Sequence, residues 1–170
     1  TYNPAHPVPF ITEPVSSQIG GPDDYSAVEQ RADVLVYSTT PLTDPMEVTG
    51  SIRVTLYAAS SAPDTDFTAK LLDVWPNGFA QRLTDGIVRA RFRDGMSTPS
   101  LIEPEVIYQY TLDLWNTAHV FDAGHAIRLE ISSSAFPKYD RNQNTGAPLG
   151  LTAEFATAQQ TIHHDADHPS

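Results

Sequence analysis

The chain has 170 residues, 14 of them proline and none cysteine, with a formal net charge of −11. That length suits one domain with a real core, and the absence of cysteine excludes a disulfide framework, a thiolate nucleophile and a cysteine-based zinc site. With 21 acidic against 10 basic residues there is no basic footprint for nucleic acid or anionic lipid, and no apolar run reaches the ~18 residues of a membrane-spanning helix.

Thr1 to Arg31 is proline-rich and weakly patterned, with a breaker at Gly20-Gly21-Pro22. It reads as an arm, either a linker lying across a neighbour or an ordered lead-in, with residues 32–170 forming the domain proper. Asp33 to Thr39 is the first strand, and Pro41 to Pro45 a turn. Gly50 to Ala59 alternates, with Ile52, Val54, Leu56 and Ala58 on one face. Ser60 to Asp64 is a loop. Thr65 to Trp75 is a strand, reversed at Pro76-Asn77-Gly78, where Asn and Gly tolerate the positive φ of a tight turn.

Phe79 to Leu83 returns, Asp85-Gly86 breaks the line as a turn or glycine bulge, and Ile87 to Arg93 continues as strand. Arg89, Arg91 and Arg93 would then share one face. Gly95 to Pro104 is a loop. Val106 to Trp115 puts Val106, Tyr108, Tyr110, Leu112 and Leu114 on an apolar face. After a turn at Asp122-Ala123-Gly124, Ala126 to Ser133 pairs an apolar row (Ile127, Leu129, Ile131) with a polar one (Arg128, Glu130, Ser132). Phe136 to Pro148 is a long polar loop, and Thr152 to Ala156 and Gln159 to His163 are short closing strands. Eight or nine strands with alternating faces predict an all-β fold of two antiparallel sheets packed face to face. Ile52, Leu56, Leu112, Leu114, Leu129 and Ile131 are expected between the sheets.

Two segments carry a resemblance. Asp64-Thr65-Asp66-Phe67, Ala69-Lys70-Leu71, Asp73-Val74, Pro76 and Gly78 are followed by Leu83-Thr84-Asp85-Gly86-Ile87 and Arg89-Ala90-Arg91-Phe92-Arg93. With Gly124-His125, Ser132 to Pro137, Arg141-Asn142 and Asn144-Thr145-Gly146, this set resembles the C-terminal domain of the X-prolyl dipeptidyl-peptidase and cocaine-esterase group of serine hydrolases. The resemblance implies a jelly-roll β-sandwich, galactose-binding-domain-like, attached to an upstream α/β-hydrolase domain that holds the catalytic serine, acid and histidine. The chain, which begins at Thr1, would be a non-catalytic fragment of an ester, amide or Xaa-Pro dipeptide hydrolase, supporting the pocket of the absent domain. The alternative is a stand-alone carbohydrate-binding module of jelly-roll type.

No catalytic, cofactor-binding or metal-ligating residue is assigned. Ser132 to Ser134 lack the Gly-x-Ser-x-Gly elbow of a nucleophile. His125 reads as a turn histidine bonded to backbone. His163, His164 and His168 with Asp165 and Asp167 have ligand chemistry, but neighbouring strand residues point to opposite faces, and a frayed polar end is favoured. Asp64, Asp66 and Asp73 could hold calcium, though their spacing fits no EF-hand loop. The arginine row is either a solvated strand face with cross-strand acidic partners or a docking row for a neighbour's carboxylates. Trp75, Trp115, Tyr108, Tyr110 and Tyr139 are the aromatics a sugar platform would use. Cut from its partner, the chain is expected to self-associate or to carry a mobile arm.

Overall fold

The computed structural model describes residues 1–11, 23–148 and 150–170. The breaker at Gly20-Gly21-Pro22 lies outside them. Seven strands are present among the described residues: β1 (Leu35–Ser38), β2 (Met46–Ser60), β3 (Asp66–Val74), β4 (Ala80–Arg89), β5 (Tyr108–Phe121), β6 (Ala126–Ser132) and β7 (Gln160–His163). One sheet runs β1-β6-β3-β4 and the other β5-β2-β7, with every pair antiparallel. The core between them takes Leu56 and Ala58 from β2, Phe67, Ala69 and Leu71 from β3, Tyr110, Leu112 and Leu114 from β5, and Ile131 from β6. Ile52 and Leu129 pack against it half-buried. Each member comes from an alternating row, so period-two patterning alone aims these side chains inward.

The β3–β4 hairpin turns where expected. Gly78 has φ +88°, and the Trp75 amide donates to the Phe79 carbonyl at 2.9 Å. The break at Asp85-Gly86 is not there. β4 runs unbroken through both residues, and the register shift falls opposite Leu71/Leu72, where Leu83 is the extra residue. Gly86 serves the approach of the two sheets. A Cβ at this position would collide with the Asp113 carbonyl oxygen and lie 2.8 Å from Leu114 Cδ2. Beside it, Thr84 Oγ1 donates to the Leu114 carbonyl. β5 has its own bulge at Leu114-Trp115 opposite Ile52, with Trp115 at φ +67°.

Three further expectations are corrected. β4 ends at Arg89, and Ala90–Phe92 is a 3-10 turn, so the three arginines do not line one strand face. Residues 152–156 form no strand. Val106 precedes β5 and is exposed.

The N-terminal residues are part of the packed body. Tyr2 bridges Ala158 with paired backbone bonds of 2.8 and 2.9 Å. The Val8 amide donates to Ser134 Oγ at 2.8 Å, and the Tyr25 amide to the Ala80 carbonyl at 2.9 Å. Val8, Tyr25 and Val28 cover Leu72, Val74, Ala80 and Ala126 on the outer face of the four-stranded sheet, making a second core. All nine residues of β3 are buried as a result. The polar row of β6 is therefore not solvated: Glu130 and Ser132 lie beneath the arm.

Candidate interdomain support site

The hairpin register sets Asp66 directly opposite Arg89. Arg89 closes a two-pronged fork, Nε to Oδ1 at 2.8 Å and Nη2 to Oδ2 at 2.9 Å. Just beyond the strand ends the motif repeats, with Arg91 Nε donating to Asp64 Oδ2 at 2.8 Å and its backbone amide to Oδ1 at 3.0 Å. Asn142 Nδ2 bridges both carboxylates at 2.9 Å each. Burial pushes the Asp66 carboxyl above its ordinary pKa, against the pull of the Arg89 bond and charge, while that same bond holds Arg89 higher.

These pairings answer two expectations. Arg89 and Arg91 pair with the domain's own aspartates, and Arg93 donates to the Ala90 and Ser100 carbonyls at 3.1 and 2.7 Å, so the expected acidic partners are there but the common solvated strand face is not, and these charges are not left over as a docking row. The oxygens that calcium would need on Asp64 and Asp66 already accept from guanidinium and amide groups, and Asp73 bonds two imidazoles. The signal for the Asp–Arg ladder was legible: two acids and two arginines, each pair spaced by two, at opposite ends of one hairpin.

The network reaches into the long loop. Asn142 Oδ1 accepts the Asn144 amide at 2.9 Å, Asn144 Nδ2 donates to the Ala156 carbonyl at 2.8 Å, and Arg91 Nη2 donates to the Ala147 carbonyl at 2.9 Å. Further along, Asp85 accepts from Arg82 Nη1 at 3.0 Å, Lys138 Nζ at 2.7 and 2.8 Å, and Tyr139 Oη at 3.0 Å. Read from sequence as a turn residue, Asp85 is the anchor that ties the start of this loop to β4. Burial, then the Asp85 charge, raises the Tyr139 hydroxyl pKa.

On the loop's outer side, Arg141 sits between two rings, its guanidinium carbon 4.9 Å from the centroids of both Phe136 and Phe155. Beside it is a cavity of about 280 Å³ walled by Arg89, Arg91, Asn142, Gln143 and Phe155. A groove of about 330 Å³ follows, lined by Ile87, Phe92, Met96 and Tyr139.

The remaining singled-out residues are engaged structurally. Ser132 to Ser134 are buried, with Ser132 Oγ bonded to Thr68 at 2.7 Å. Among the described residues the His125 ring bonds no backbone group. Its Nδ1 meets Asp73 Oδ1 at 2.8 Å, and His119 Nε2 meets Oδ2 at 2.9 Å. Base and orienting acid are present, but no hydroxyl nucleophile is bonded to either imidazole among the described residues, so the general-base arrangement is incomplete.

The C-terminal end is not frayed. His164 Nε2 bonds Tyr37 Oη at 2.8 Å, His168 packs its ring on Tyr57 with centroids 5.6 Å apart, and the Tyr57 amide donates to Ser170 Oγ at 2.7 Å. Among the described residues no three His, Asp or Glu side chains converge on a metal-sized point. Tyr110 is buried, Tyr108 lies under Arg93, and Trp75 is edge-packed by Phe79. Trp115 is exposed, with no ring packed on it among the described residues.

The arrangement fastens one long surface loop to the sandwich. Residues 10–170 match the model of the X-Pro dipeptidyl-peptidase C-terminal non-catalytic domain. The chain is 49% identical over 173 residues to the cocaine esterase of Rhodococcus sp. strain MB1 Bresler, covering 99% of this chain and 30% of that protein. Among solved structures, an α-amino acid ester hydrolase superposes with TM-score 0.87 at 31% identity, over 95% of this chain and 29% of its own. An aminopeptidase from a marine sediment Thaumarchaeota archaeon gives TM-score 0.86 at 31% identity, over 95% of this chain and 30% of its own. The chain thus spans less than a third of the length of each.

Proposed function

The chain belongs to the family of non-catalytic C-terminal domains of X-Pro dipeptidyl-peptidase and cocaine-esterase-like hydrolases, and from that premise we propose that it packs on an upstream α/β-hydrolase domain and supports its substrate pocket. The parent would be a serine hydrolase of esters, amides or Xaa-Pro peptides. Residues 1–31 serve as the lead-in arm and residues 32–170 as the sandwich. The observation that carries this reading is one of proportion: 99% of this chain aligns with 30% of the Rhodococcus cocaine esterase, while the groups here are spent on holding a loop.

The test is removal of these 170 residues from the parent polypeptide. The truncated hydrolase should lose at least about tenfold in kcat/KM toward an activated acyl ester or an Xaa-Pro anilide, as expected when a remote support lets a pocket shift by an ångström or so. Unchanged kcat/KM and unchanged thermal stability would overturn the reading. The isolated chain, deprived of its partner, should self-associate; a strict monomer in sedimentation velocity would count against a severed interface.

A further inference from the structure

Building on that reading, we infer that the residues of the parent polypeptide directly ahead of Thr1 form a further strand, paired antiparallel with the open edge of β7 and laid over the inner face of β1.

The first argument is register. Tyr2 and Ala158 form an antiparallel bridge and exchange both backbone bonds, the Tyr2 amide to the Ala158 carbonyl at 2.8 Å and the Ala158 amide to the Tyr2 carbonyl at 2.9 Å. Thr1 therefore stands opposite Gln159, and Thr1 Oγ1 donates to Gln159 Oε1 at 2.7 Å. β7 begins at the next residue, Gln160. Continued at the same pairing, the chain ahead of Thr1 meets Gln160, Thr161, Ile162 and His163 in turn. The backbone groups it needs face it. The Ser61 amide donates to the Gln159 carbonyl at 3.0 Å, and Ala59 and Tyr57 stand opposite Thr161 and His163. Bonded and unbonded pairs alternate along an antiparallel ladder, so Thr161 and His163 turn their backbone groups to β2. Gln160 and Ile162 turn theirs to the open edge, in phase with Ala158. Among the described residues β2 is the one strand paired with β7.

The second argument is the balance of the two sheets. One has four strands and the other three, whereas a jelly roll spreads eight over its two sheets. At one side of the sandwich β4 meets β5, where Thr84 Oγ1 donates to the Leu114 carbonyl. Counted across from there, β3 lies over β2 and β6 over β7, and β1 has no strand facing it. Leu35 and Tyr37 stand beside Ile131 and Leu129, the core-facing row of β6. Ile131 is 2% exposed, yet Leu35 is 43% and Tyr37 36% exposed. A strand beyond β7 covers them.

The third argument is the seam itself. A gap of about 60 Å³ remains between Thr1, Leu35, Phe67, Gln160 and Ile162, and Gln160 Oε1 is buried without a hydrogen-bond partner. Tyr2 and Ala158 are buried and turn inward. Two residues back along the incoming chain, the residue directly ahead of Thr1 stands opposite Gln160 and turns inward over this gap. The occupant is thus an extended segment with apolar side chains on its inward row, and it removes an open edge that would otherwise invite a foreign strand.

Amide exchange of the intact parent polypeptide tests this, each rate being corrected for its intrinsic value. Gln160 and Ile162 should exchange within about tenfold of Thr161, whose amide is held by β2, because paired strands of one sheet open together. Amides on an open edge would exchange at least about a hundredfold faster than Thr161. A second arm combines Thr161→Cys with a cysteine at the second residue ahead of Thr1. That pair falls at a non-hydrogen-bonded position, with Cα atoms about 4.5 Å apart, within disulfide reach, and should oxidise to a cross-link. Moving the upstream cysteine to the third residue ahead turns it to the other face and should abolish the cross-link. Open-edge exchange at Gln160 and Ile162, or cross-linking no better in register than out of it, overturns the added strand. A tenfold loss on truncation would then still uphold the proposed function, so the two readings fail separately. Protection of Gln160 and Ile162 that fades on dilution identifies a second copy as the occupant of the edge and likewise overturns the inference.

Discussion

Replacing Lys70 by Met isolates the contribution of the arm to the fold. Lys70 and Glu130 face each other across β3 and β6, Nζ to Oε2 at 3.2 Å, with side chains 1% and 0% exposed. Glu130 Oε1 has no partner among the described residues, and desolvation raises the Glu130 pKa against the attraction of Lys70. Removing the ammonium leaves a carboxylate uncompensated under Tyr25 and the rest of the second core. Breaking such a pair costs about 3–5 kcal/mol, a large share of the ~5–15 kcal/mol that holds a domain together.

The pH dependence has a definite sign. A carboxyl whose folded pKa lies above its unfolded one opposes folding when ionised. That cost is present above the folded pKa and vanishes as pH falls below the unfolded value. The deficit of Lys70→Met should therefore shrink on acidification from neutral pH into the carboxylate range. The double variant Lys70→Met/Glu130→Leu should regain the loss, since an apolar pair of similar volume replaces a buried ion pair at no cost or better. Urea unfolding midpoints of the three proteins at neutral and acid pH measure this. A single-variant loss below about 1 kcal/mol, the level of an exposed pair, or one that does not shrink with acid, would refute the claim that the arm seals the sheet.

Leu112→Ala, at a fully buried core position, should cost about 2–5 kcal/mol in denaturant unfolding, and Leu129→Ala less, because Leu129 is only half-buried. Gly86→Ala drives a Cβ into the Asp113 backbone and should cost about 1–3 kcal/mol as an overpacking change, with lowered amide protection confined to β4 and β5. Asn142→Ala removes a donor shared by two buried carboxylates and should cost about 1–3 kcal/mol, with proteolytic nicking appearing first in residues 140–148. The purified chain should hydrolyse neither activated acyl esters nor Xaa-Pro anilides; turnover that survives repurification and disappears with Ser132→Ala would contradict the absence of a nucleophile elbow.

Alternation of apolar residues was enough to place β2, β5 and β6 and to orient Leu56, Leu112, Leu114 and Ile131, because a strand's side-chain period is fixed by backbone geometry. Pro76-Asn77-Gly78 located the hairpin because few residues accept the required φ. The motif set around Asp64 to Arg93 carried the family and with it the sandwich.

What lay beyond reach depended on approach between distant segments. Gly86 looks like a turn residue in isolation; only the passage of β5 over it reveals a site with no room for a side chain. The Arg89 to Arg93 run looks like an exposed row because a local pattern does not show that β4 ends in a 3-10 turn, or that aspartates 23 and 27 residues earlier in the chain take up the forks. Glu130 looks solvated because alternation marks a polar row without saying what covers it. The arm that does so is proline-rich and lacks periodicity, and its place is set by burial of Val8, Tyr25 and Val28 against the sheet. Periodicity and turn chemistry are properties of neighbouring residues; burial and pairing are properties of the folded whole, and there the tertiary structure decided.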